Sequence, residues 1–294
     1  VNTETYHYQT DPSVTALAND SYVVTWQSYY QDPPAGSHWG VYGQVMDKSG
    51  TPLGDEFLVN TYTSGNQYNP SVTSLSDGSF VVTWRDDQGQ SGGRAGNSTD
   101  VFGQRFDGHG FRVGEEFLIN ADADSGTQAD PSVADLGNGR FVVAWRDDQG
   151  GSHDKNTGNA ATGDSADVRG QIFTTEGDGG SDLGTPVEDG GDFRINTYTS
   201  GTQSHTSVTG LKDGGFVVTW QSNGQDGSDY GIYGQRYDDT GGPVGDEFRV
   251  NTYINSTQSE PSVTSLTDGG FVVTWQSNSQ DGSNYGIYGQ RYSE

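Results

Sequence analysis

One position in the chain carries a polar residue that varies between five similar segments, although the residues around it barely change. It is occupied in turn by Asp11, Asn69, Asp130, His205 and Glu260. Crowded carboxylates push each other's pKa values apart, so such a set can supply an acid and a base from one residue type. A glycoside hydrolase needs such a pair, and we interpret the set as a binding or catalytic ring. The alternative is structural, because Asp, Asn or Glu before Pro-Ser caps a turn where a strand starts.

Two of the segments replace a Gln-Ser pair by Arg-Asp-Asp-Gln, beginning at Arg85 and Arg146. Arginine forms paired hydrogen bonds with carboxylates and sulfates, so these residues could clamp an anionic sugar. His153 and Lys155 lie in the long loop after Arg146 and would add to this ligand site. If His153 or a tyrosine acts as the base, these residues would form the active site of a polysaccharide lyase. Local Arg–Asp pairing that shapes the loops is the alternative interpretation.

The first segment is rich in aromatic residues, with Tyr29 and Tyr30 followed by His38 and Trp39. Trp39 is the one tryptophan outside a repeated strand position. Aromatic faces stack on sugar rings and recur in binding pockets, so these four residues are predicted to contact a ligand. Packing between loops is the alternative.

An Asp-x-Asp-x-Gly run at 122–126 contains the carboxylates of Asp122 and Asp124. Calcium binds six to eight oxygen ligands, which such loops supply from carboxylates and carbonyls. Calcium is therefore the one cofactor that the sequence suggests, although the spacing is not that of an EF-hand loop and Asp-Gly turns need no metal. Phosphate-cradling loops and dinucleotide fingerprints are missing from the sequence, so no organic cofactor is expected.

These candidate residues are carried by an internal repeat. A run close to Phe-Val-Val-Thr-Trp occurs at 22–26, 80–84, 141–145, 216–220 and 271–275. It divides the chain into repeats 1–58, 59–118, 119–194, 195–249 and 250–294, which we interpret as one domain. Helical periodicity appears nowhere in the sequence.

Each repeat holds four short strands. A Ser-Val strand, a Gly/Asp/Asn turn and the apolar Phe-Val-Val-Thr-Trp strand predict a hairpin, and a Gly-Gln strand and a Phe-x-Val-Asn strand follow. Five repeats of four antiparallel strands predict an all-β, five-bladed β-propeller, with the second strand sandwiched between neighbouring blades. A linear array of small β-modules is the alternative. The last repeat stops after its third strand, so the N-terminal segment is predicted to close the last blade.

Propeller topology sorts the loops onto two faces. The loops from second to third strand, and from fourth strand to the next repeat, share one face. That face receives the ring position, the aromatic residues and the long loops at 86–100 and 147–167. Because loops that break the symmetry of a scaffold are the ones that carry function, this face is predicted to bind the ligand.

The composition excludes several kinds of partner. The chain has 294 residues, no cysteine and a formal charge of −26. Such a charge argues against nucleic acid and anionic membranes as partners. No apolar run approaches the roughly 18 residues of a membrane helix, so no membrane insertion is expected. Without cysteine, disulfides and thiol chemistry are excluded.

The segment Gln-Asp-Gly-Ser-Asp-Tyr-Gly-Ile-Tyr-Gly-Gln-Arg-Tyr at 225–237 resembles repeats of large secreted bacterial proteins of the RTX type. Proteins of that type are exported by type I systems and include adhesins and polysaccharide-associated proteins. The resemblance covers essentially the whole chain and implies a secreted, extracellular protein, either a monomer or part of a larger secreted chain. At the level of fold alone, five-bladed propeller glycosidases of the arabinanase and fructosidase type are similar in placing Asp, Asp and Glu around a central funnel.

A polysaccharide or other glycan is therefore the expected partner. The first hypothesis is secreted carbohydrate recognition by a lectin-like or adhesin propeller. The alternative is a glycoside hydrolase or polysaccharide lyase with one active site on the loop face, because the five repeats carry unlike loops. The sequence leaves enzymatic activity open. A structural spacer of a large surface protein is the second alternative and predicts no glycan binding.

Overall fold

Each sequence repeat folds into one antiparallel β-sheet, and the sheets stand as blades in a propeller ring. A computed structural model describes residues 1–17, 20–31, 38–87, 99–121, 126–148, 166–175 and 184–293. Within these residues the predicted all-β, five-bladed propeller is confirmed, and no α-helix occurs. Accordingly, this part of the chain contains no helix with the length and apolar character needed to cross a membrane.

The strands follow the same order in every blade, with the innermost strand first. Blade one comprises β1 (Gln9–Ala16), β2 (Tyr22–Tyr29), β3 (Trp39–Met46) and β4 (Phe57–Leu58). Blade two comprises β5 (Gln67–Ser74), β6 (Phe80–Asp86), β7 (Asp100–Phe106) and β8 (Arg112–Leu118). Blade three comprises β9 (Gln128–Gly137), β10 (Arg140–Asp147), β11 (Asp167–Thr174) and two short outer strands, β12 (Val187–Glu188) and β13 (Phe193–Arg194). Blade four comprises β14 (Gln203–Gly210), β15 (Phe216–Asn223), β16 (Tyr230–Tyr237) and β17 (Pro243–Arg249). Blade five comprises β18 (Gln258–Ser265), β19 (Phe271–Asn278) and β20 (Tyr285–Tyr292).

The hydrophobic core lies between the blades. Side chains of the second strands in blades two, three and four alternate between two neighbours, so that Val82 packs toward blade one and Val81 toward blade three. Separate apolar clusters join blades one and two, two and three, three and four, and four and five. Burial of both faces explains why the Phe-Val-Val-Thr-Trp run is apolar throughout instead of alternating with polar residues.

A glycine in the third strand allows an outer-strand phenylalanine to lie directly against the backbone. A Cβ atom added to Gly103 would come within 2.6 Å of the Phe117 ring. The equivalent Gly289 in blade five has no such ring against it, and the nearest atom to an added Cβ would be 3.5 Å away. Glycine in the Gly-Gln strand is therefore required for steric reasons.

Gly103→Ala is expected to destabilise the protein by about 1–3 kcal/mol, because the new methyl group would overlap the Phe117 ring. Gly289→Ala is the matched control at the same repeat position and should leave the free energy of unfolding nearly unchanged. Urea denaturation of both variants measures the difference. Equal destabilisation of the two would show that these glycines are needed for their backbone conformation and not for space.

Tight turns built on an aspartate join the third and fourth strands of blades one and four. Asp238 accepts hydrogen bonds from the Thr240 hydroxyl at 2.7 Å and the Thr240 N–H at 2.9 Å. These bonds, the hydroxyl first, hold the pKa of Asp238 below its ordinary value of 3.8. The Ser49 hydroxyl and the backbone around it lower the pKa of Asp47 in the same way. Both turns therefore depend on an ionised carboxylate.

Because the folded state lowers these pKa values, the stabilisation is complete above pH 3.8 and is lost as the pH falls through the folded value. We expect the melting temperature to fall between about pH 5 and pH 2. Asp238→Ala should lower the melting temperature at neutral pH and flatten that decline. Asp239→Ala, at the exposed neighbouring position, should do neither. An unchanged decline in Asp238→Ala would show that this turn is not one of the groups responsible.

The prediction that the N-terminal segment closes the last blade is wrong. The sheet of blade five contains β18, β19 and β20 alone. Thr3 instead contacts the outer part of blade one, where its N–H and hydroxyl donate to Glu56 Oε2 at 2.8 Å and 3.1 Å. Thr61 makes the same two bonds to Glu116 of blade two. The N-terminal segment therefore contacts blade one in the same way as the residues after the outer strand of blade one contact blade two.

Candidate functional site

The predicted ring residues all occupy a β-bulge near the start of an innermost strand. In blade one, the pairing of β1 with β2 shifts between Thr10 and Ser13, and the same shift occurs in the other four blades. The bulged residues have left-handed backbone, with φ of 51° at Asp11, 50° at Asn69, 51° at Asp130, 55° at His205 and 54° at Glu260. The bulge interrupts the strand's regular alternation and re-aims one side chain in each blade.

Glycine is the residue that adopts this left-handed conformation without strain, yet no repeat has glycine at the bulge. Elsewhere in the described residues, positive φ occurs at nineteen glycines and at five other residues, Asp20, Tyr30, Asn138, Ser256 and Ser279. A residue with a side chain costs about 1–2 kcal/mol there, with Asn and Asp tolerated best. Glu260 is the least suited of the five to this conformation. Strained residues of this kind cluster at binding and active sites.

The five bulged residues line a single cavity of about 540 Å³. The remaining lining comes from the proline, serine and threonine residues that follow them in the chain. The cavity therefore presents three carboxylates, an amide and an imidazole from five different blades. The structure brings all the predicted ring residues together, and Asp11, Asn69, Asp130, His205 and Glu260 are termed the mouth ring.

Two members of the mouth ring contact each other across the boundary between blades four and five. His205 Nε2 lies 3.1 Å from Glu260 Oε1, and His205 Nδ1 lies 3.2 Å from the Ser204 hydroxyl. Both side chains remain open to solvent on their cavity side. A carboxylate beside an imidazole favours a proton on the facing nitrogen and fixes the orientation of the ring. With both ring nitrogens engaged, the pair presents the Glu260 carboxylate to a ligand as a hydrogen-bond acceptor.

Glutamines at the ends of second strands tie neighbouring bulges together. Gln221 of blade four accepts the backbone N–H of Glu260 at 3.3 Å and donates to the Ser204 hydroxyl at 3.1 Å. Gln27 of blade one accepts the N–H of Asn69 at 2.9 Å in the same way. One amide side chain therefore positions the mouth-ring residue of the next blade.

Arg85 and Arg146 replace this glutamine in blades two and three, and an arginine cannot accept a hydrogen bond. Arg146 Nη2 donates to the two carboxylate oxygens of Asp148 at 2.8 Å and 2.7 Å. Arg85 pairs with Asp87 at 2.9 Å. Local Arg–Asp pairing, the alternative interpretation of these residues, is therefore formed. Neither guanidinium is among the groups that line the mouth-ring cavity.

Gln221→Leu should destabilise the protein by about 1–2 kcal/mol, because the Glu260 N–H loses its acceptor and Ser204 loses a donor. Gln276→Leu is the matched control at the same strand position of blade five. Its side chain makes none of these bonds in the described part of the chain. Urea denaturation compares the two variants. Equal losses would attribute the effect to packing of the side-chain stem and not to the hydrogen bonds.

Aromatic side chains of blades one and two form a continuous strip. Successive ring centroids are separated by 5.1 Å from His7 to Tyr30, 4.3 Å to Tyr29, 5.0 Å to Trp39 and 6.4 Å to Tyr68. These five residues are termed the aromatic strip. Tyr29, Tyr30 and Trp39 thus lie together, and His38 adjoins them through its carbonyl, which accepts the Tyr30 N–H at 3.1 Å.

Tyr68 is a member of the strip that the sequence reasoning missed. It directly precedes Asn69 in the chain, although it is not among the residues that line the mouth-ring cavity. The sequence does mark Tyr68, because the other repeats have a small residue at the position directly before the ring residue. The Arg85 guanidinium lies 5.5 Å from the centre of its ring. Burial, and then the charge of Asp87, raises the pKa of Tyr68 above its ordinary value of 10.0.

The remaining predicted site residues, His153, Lys155, Asp122 and Asp124, lie outside the described residues. Within the described part of the chain, no group of three or more His, Cys, Asp or Glu side chains is arranged to hold a metal ion. Calcium binding therefore stays a prediction from the sequence.

Comparisons with known proteins identify the fold. No protein-family model and no curated protein matches the chain. A protein of unknown function from Dyadobacter fermentans matches with a TM-score of 0.59 at 12% identity, covering 98% of this chain and 79% of its own. The alpha-L-arabinanase of Penicillium chrysogenum complexed with arabinobiose matches with a TM-score of 0.56 at 16% identity. The GH93 alpha-L-arabinofuranosidase of Fusarium graminearum with arabinobiose has the same TM-score at 14% identity. In both cases, 95% of this chain and 80% of the other are covered.

At such low identities the likeness establishes the fold alone. The chain is a five-bladed β-propeller whose structural neighbours include propellers of glycoside hydrolase families. None of these neighbours bears on the resemblance to RTX-type secreted proteins, which stays a prediction, as does the extracellular location.

Proposed function

We propose that the protein binds carbohydrate at the mouth ring. The observation that carries this proposal is the presence of five polar side chains on left-handed bulges around one cavity, where glycine would be less strained. A purely structural cap would be met equally well by glycine or asparagine in every repeat. A ligand with several unlike hydroxyl groups instead requires different polar groups on a constant backbone.

The mouth ring offers the hydrogen-bonding groups that sugars use. Carboxylates accept bonds from sugar hydroxyls, and the Asn69 amide both donates and accepts. The Glu260 carboxylate, held 3.1 Å from the His205 imidazole, adds a further acceptor. The aromatic strip adjoins the ring at Tyr68 and supplies apolar faces on which sugar rings stack. An oligosaccharide held at the mouth ring would therefore extend outward over Trp39.

The fold neighbours suggest which glycan to test first. Two of them were solved with arabinobiose, which supports pentose-containing polysaccharides as starting ligands. We place the protein outside the cell, where polysaccharides of that kind are met. The formal charge of −26 favours neutral glycans over polyanionic ones, because the described arginines at the loop face are already paired.

Glu260→Gly separates binding from structure. Glycine adopts φ of 54° without strain, so the variant should retain or slightly raise the melting temperature. Loss of a charged hydrogen-bonding partner should weaken glycan affinity by about 10- to 100-fold. Asp130→Gly should behave alike. Asp239→Asn changes an exposed carboxylate in a turn after the third strand and is the control. A glycan array identifies the ligand, and isothermal titration calorimetry measures its affinity.

Two results would contradict the proposal. Destabilised glycine variants that still bind glycan at full affinity would show that the ring residues are structural caps. A complete lack of binding to neutral and acidic glycans by the unaltered protein would favour the structural spacer.

A glycoside hydrolase is the second candidate, and the three carboxylates of the mouth ring favour it. Glycosidic bond cleavage needs one carboxyl group as acid and a second as base or nucleophile. Asp11, Asp130 and Glu260 come from different blades and line the same cavity, so carboxylates approach the cavity from more than one side.

Incubation with arabinan, other neutral polysaccharides and uronic-acid polysaccharides tests for turnover. If the protein is a hydrolase, Asp130→Asn and Glu260→Gln should reduce the rate by about 10²- to 10⁴-fold and leave binding much less affected. Glycan binding without any product would exclude the hydrolase and retain recognition. Unsaturated products would indicate a lyase instead.

A further inference from the structure

Neighbouring blades pack through one repeated interface. On the following blade, an inner-strand valine is buried, with a relative exposure of 7% at Val72, 6% at Val133, 7% at Val208 and 7% at Val263. On the preceding blade, a third-strand residue is fully buried, with an exposure of 0% at Val41, Val101, Val168 and Ile232. Each interface thus joins two different faces, a leading face that carries the valine and a trailing face that carries the third-strand residue.

The leading face of blade one and the trailing face of blade five are both uncovered. Val14, equivalent to the buried inner-strand valines, is 63% exposed. Ile287, equivalent to the fully buried Ile232, is 75% exposed. No apolar cluster of the described residues joins blades one and five, in contrast to the four other pairs of neighbours. The seam between these blades therefore presents apolar surface of the kind that the rest of the protein buries.

Hydrogen bonds across the blades show the same break. A serine of each preceding inner strand accepts a valine N–H of the next, as in Ser207 with Val263 at 3.1 Å and Ser13 with Val72 at 3.2 Å. In the described residues, no such bond joins Ser262 to Val14. In the described residues, the seam thus lacks both the serine-to-valine hydrogen bond and the apolar contacts of the other interfaces.

The asparagine that ends each outer strand gives a second, independent sign. Asn251 Oδ1 accepts the N–H of Ile232 at 2.7 Å, and its Nδ2 donates to Gln258 Oε1 at 3.0 Å, which links two blades. Asn2 keeps the second bond, to Gln9 Oε1 at 3.3 Å. Among the described residues, no third-strand N–H donates to Asn2 Oδ1, whereas the N–H of Ile232 donates to Asn251 Oδ1. Asn2 is therefore positioned to receive a strand that lies beside blade one.

We propose that the seam is the docking site for one further blade of this same repeat. Such a blade carries both of the faces that are needed, a trailing face for Val14 and a leading face for Ile287. It also supplies a serine hydroxyl toward the Val14 N–H and a third-strand N–H toward Asn2. The occupant is thus defined chemically by the four interfaces already formed in the protein.

Closure of blade five directly onto blade one fits the structure less well. Closure would require the four packed interfaces to shift, and packed cores resist gradual deformation, whereas the structure leaves Val14 63% and Ile287 75% exposed. A second copy of the chain fits poorly, because docking of its first blade would bring its other four blades against blade one of the first copy. A single additional blade meets neither obstacle.

The absence of cysteine makes a site-specific test direct. The occupant is supplied by inserting a second copy of residues 238–292 after Tyr292, which adds a fourth strand to blade five and three strands of a sixth blade. Val14→Cys is then labelled with a thiol reagent in the unextended and the extended chain. We expect fast labelling in the unextended chain and labelling at least about tenfold slower in the extended one, because a covered thiol is inaccessible.

Three controls accompany the labelling. Val208→Cys, at the buried equivalent position, should label slowly in both chains, and Val244→Cys, on an exposed outer strand, should label rapidly in both. A shorter insertion of residues 238–251 supplies the fourth strand without a blade and should leave Val14→Cys reactive. As a second measurement, Val14→Asp should leave the melting temperature of the unextended chain unchanged and lower that of the extended chain.

Each alternative occupant gives a distinct result that would overturn the proposal. Slow labelling of Val14→Cys in the unextended monomer would show that blade five closes onto blade one. Slow labelling that appears together with a larger sedimenting species would identify a second copy as the occupant. Fast labelling in the extended chain would show that a further blade does not occupy the seam.

Discussion

Burial of the second strand between two neighbouring blades is the interaction on which the rest of this structure depends. A strand that is apolar on both faces is satisfied only when sheets cover it on each side, so one repeat cannot bury its core alone. The same packing sets the distance between innermost strands, which the serine-to-valine hydrogen bonds then hold. The mouth ring is thus positioned by side chains that lie well away from the cavity.

The repeat made much of the architecture predictable. The period of the apolar run predicted the blades, and equal positions in the repeats predicted the mouth ring, because a symmetric scaffold converts equal sequence position into equal spatial position. The left-handed backbone was not predictable, since it arises from strand pairing at the bulge. The sequence could not decide whether Arg85 and Arg146 bind a ligand or pair locally, because each has an aspartate two residues away that competes with any ligand. The N-terminal closure failed because no strand of the described residues pairs with β20, although Thr3 contacts Glu56 of blade one as Thr61 contacts Glu116 of blade two.

Polar side chains stabilise the local backbone at the turns, whereas those of the mouth ring occupy a strained backbone conformation. At the turns, Asp47 and Asp238 accept several hydrogen bonds and are held ionised, so the carboxylate stabilises the local backbone. At the bulges, the side chain is carried by a conformation that disfavours it. Under the proposed function, the polar groups of the mouth contact a ligand, whereas the polar groups of the turns contact the protein's own backbone and hydroxyl groups.

The bulge confines each mouth-ring residue to its own blade. Substitution at one bulge alters one sector of the mouth and leaves the backbone of the neighbouring sectors in place, because the backbone shape there is the same for carboxylate, amide and imidazole side chains. Under the proposed function, ligand preference can therefore be revised sector by sector during evolution. Recombination between repeats of nearly identical flanking sequence would exchange whole sectors at once, so that new specificities arise by shuffling existing ones without a new fold.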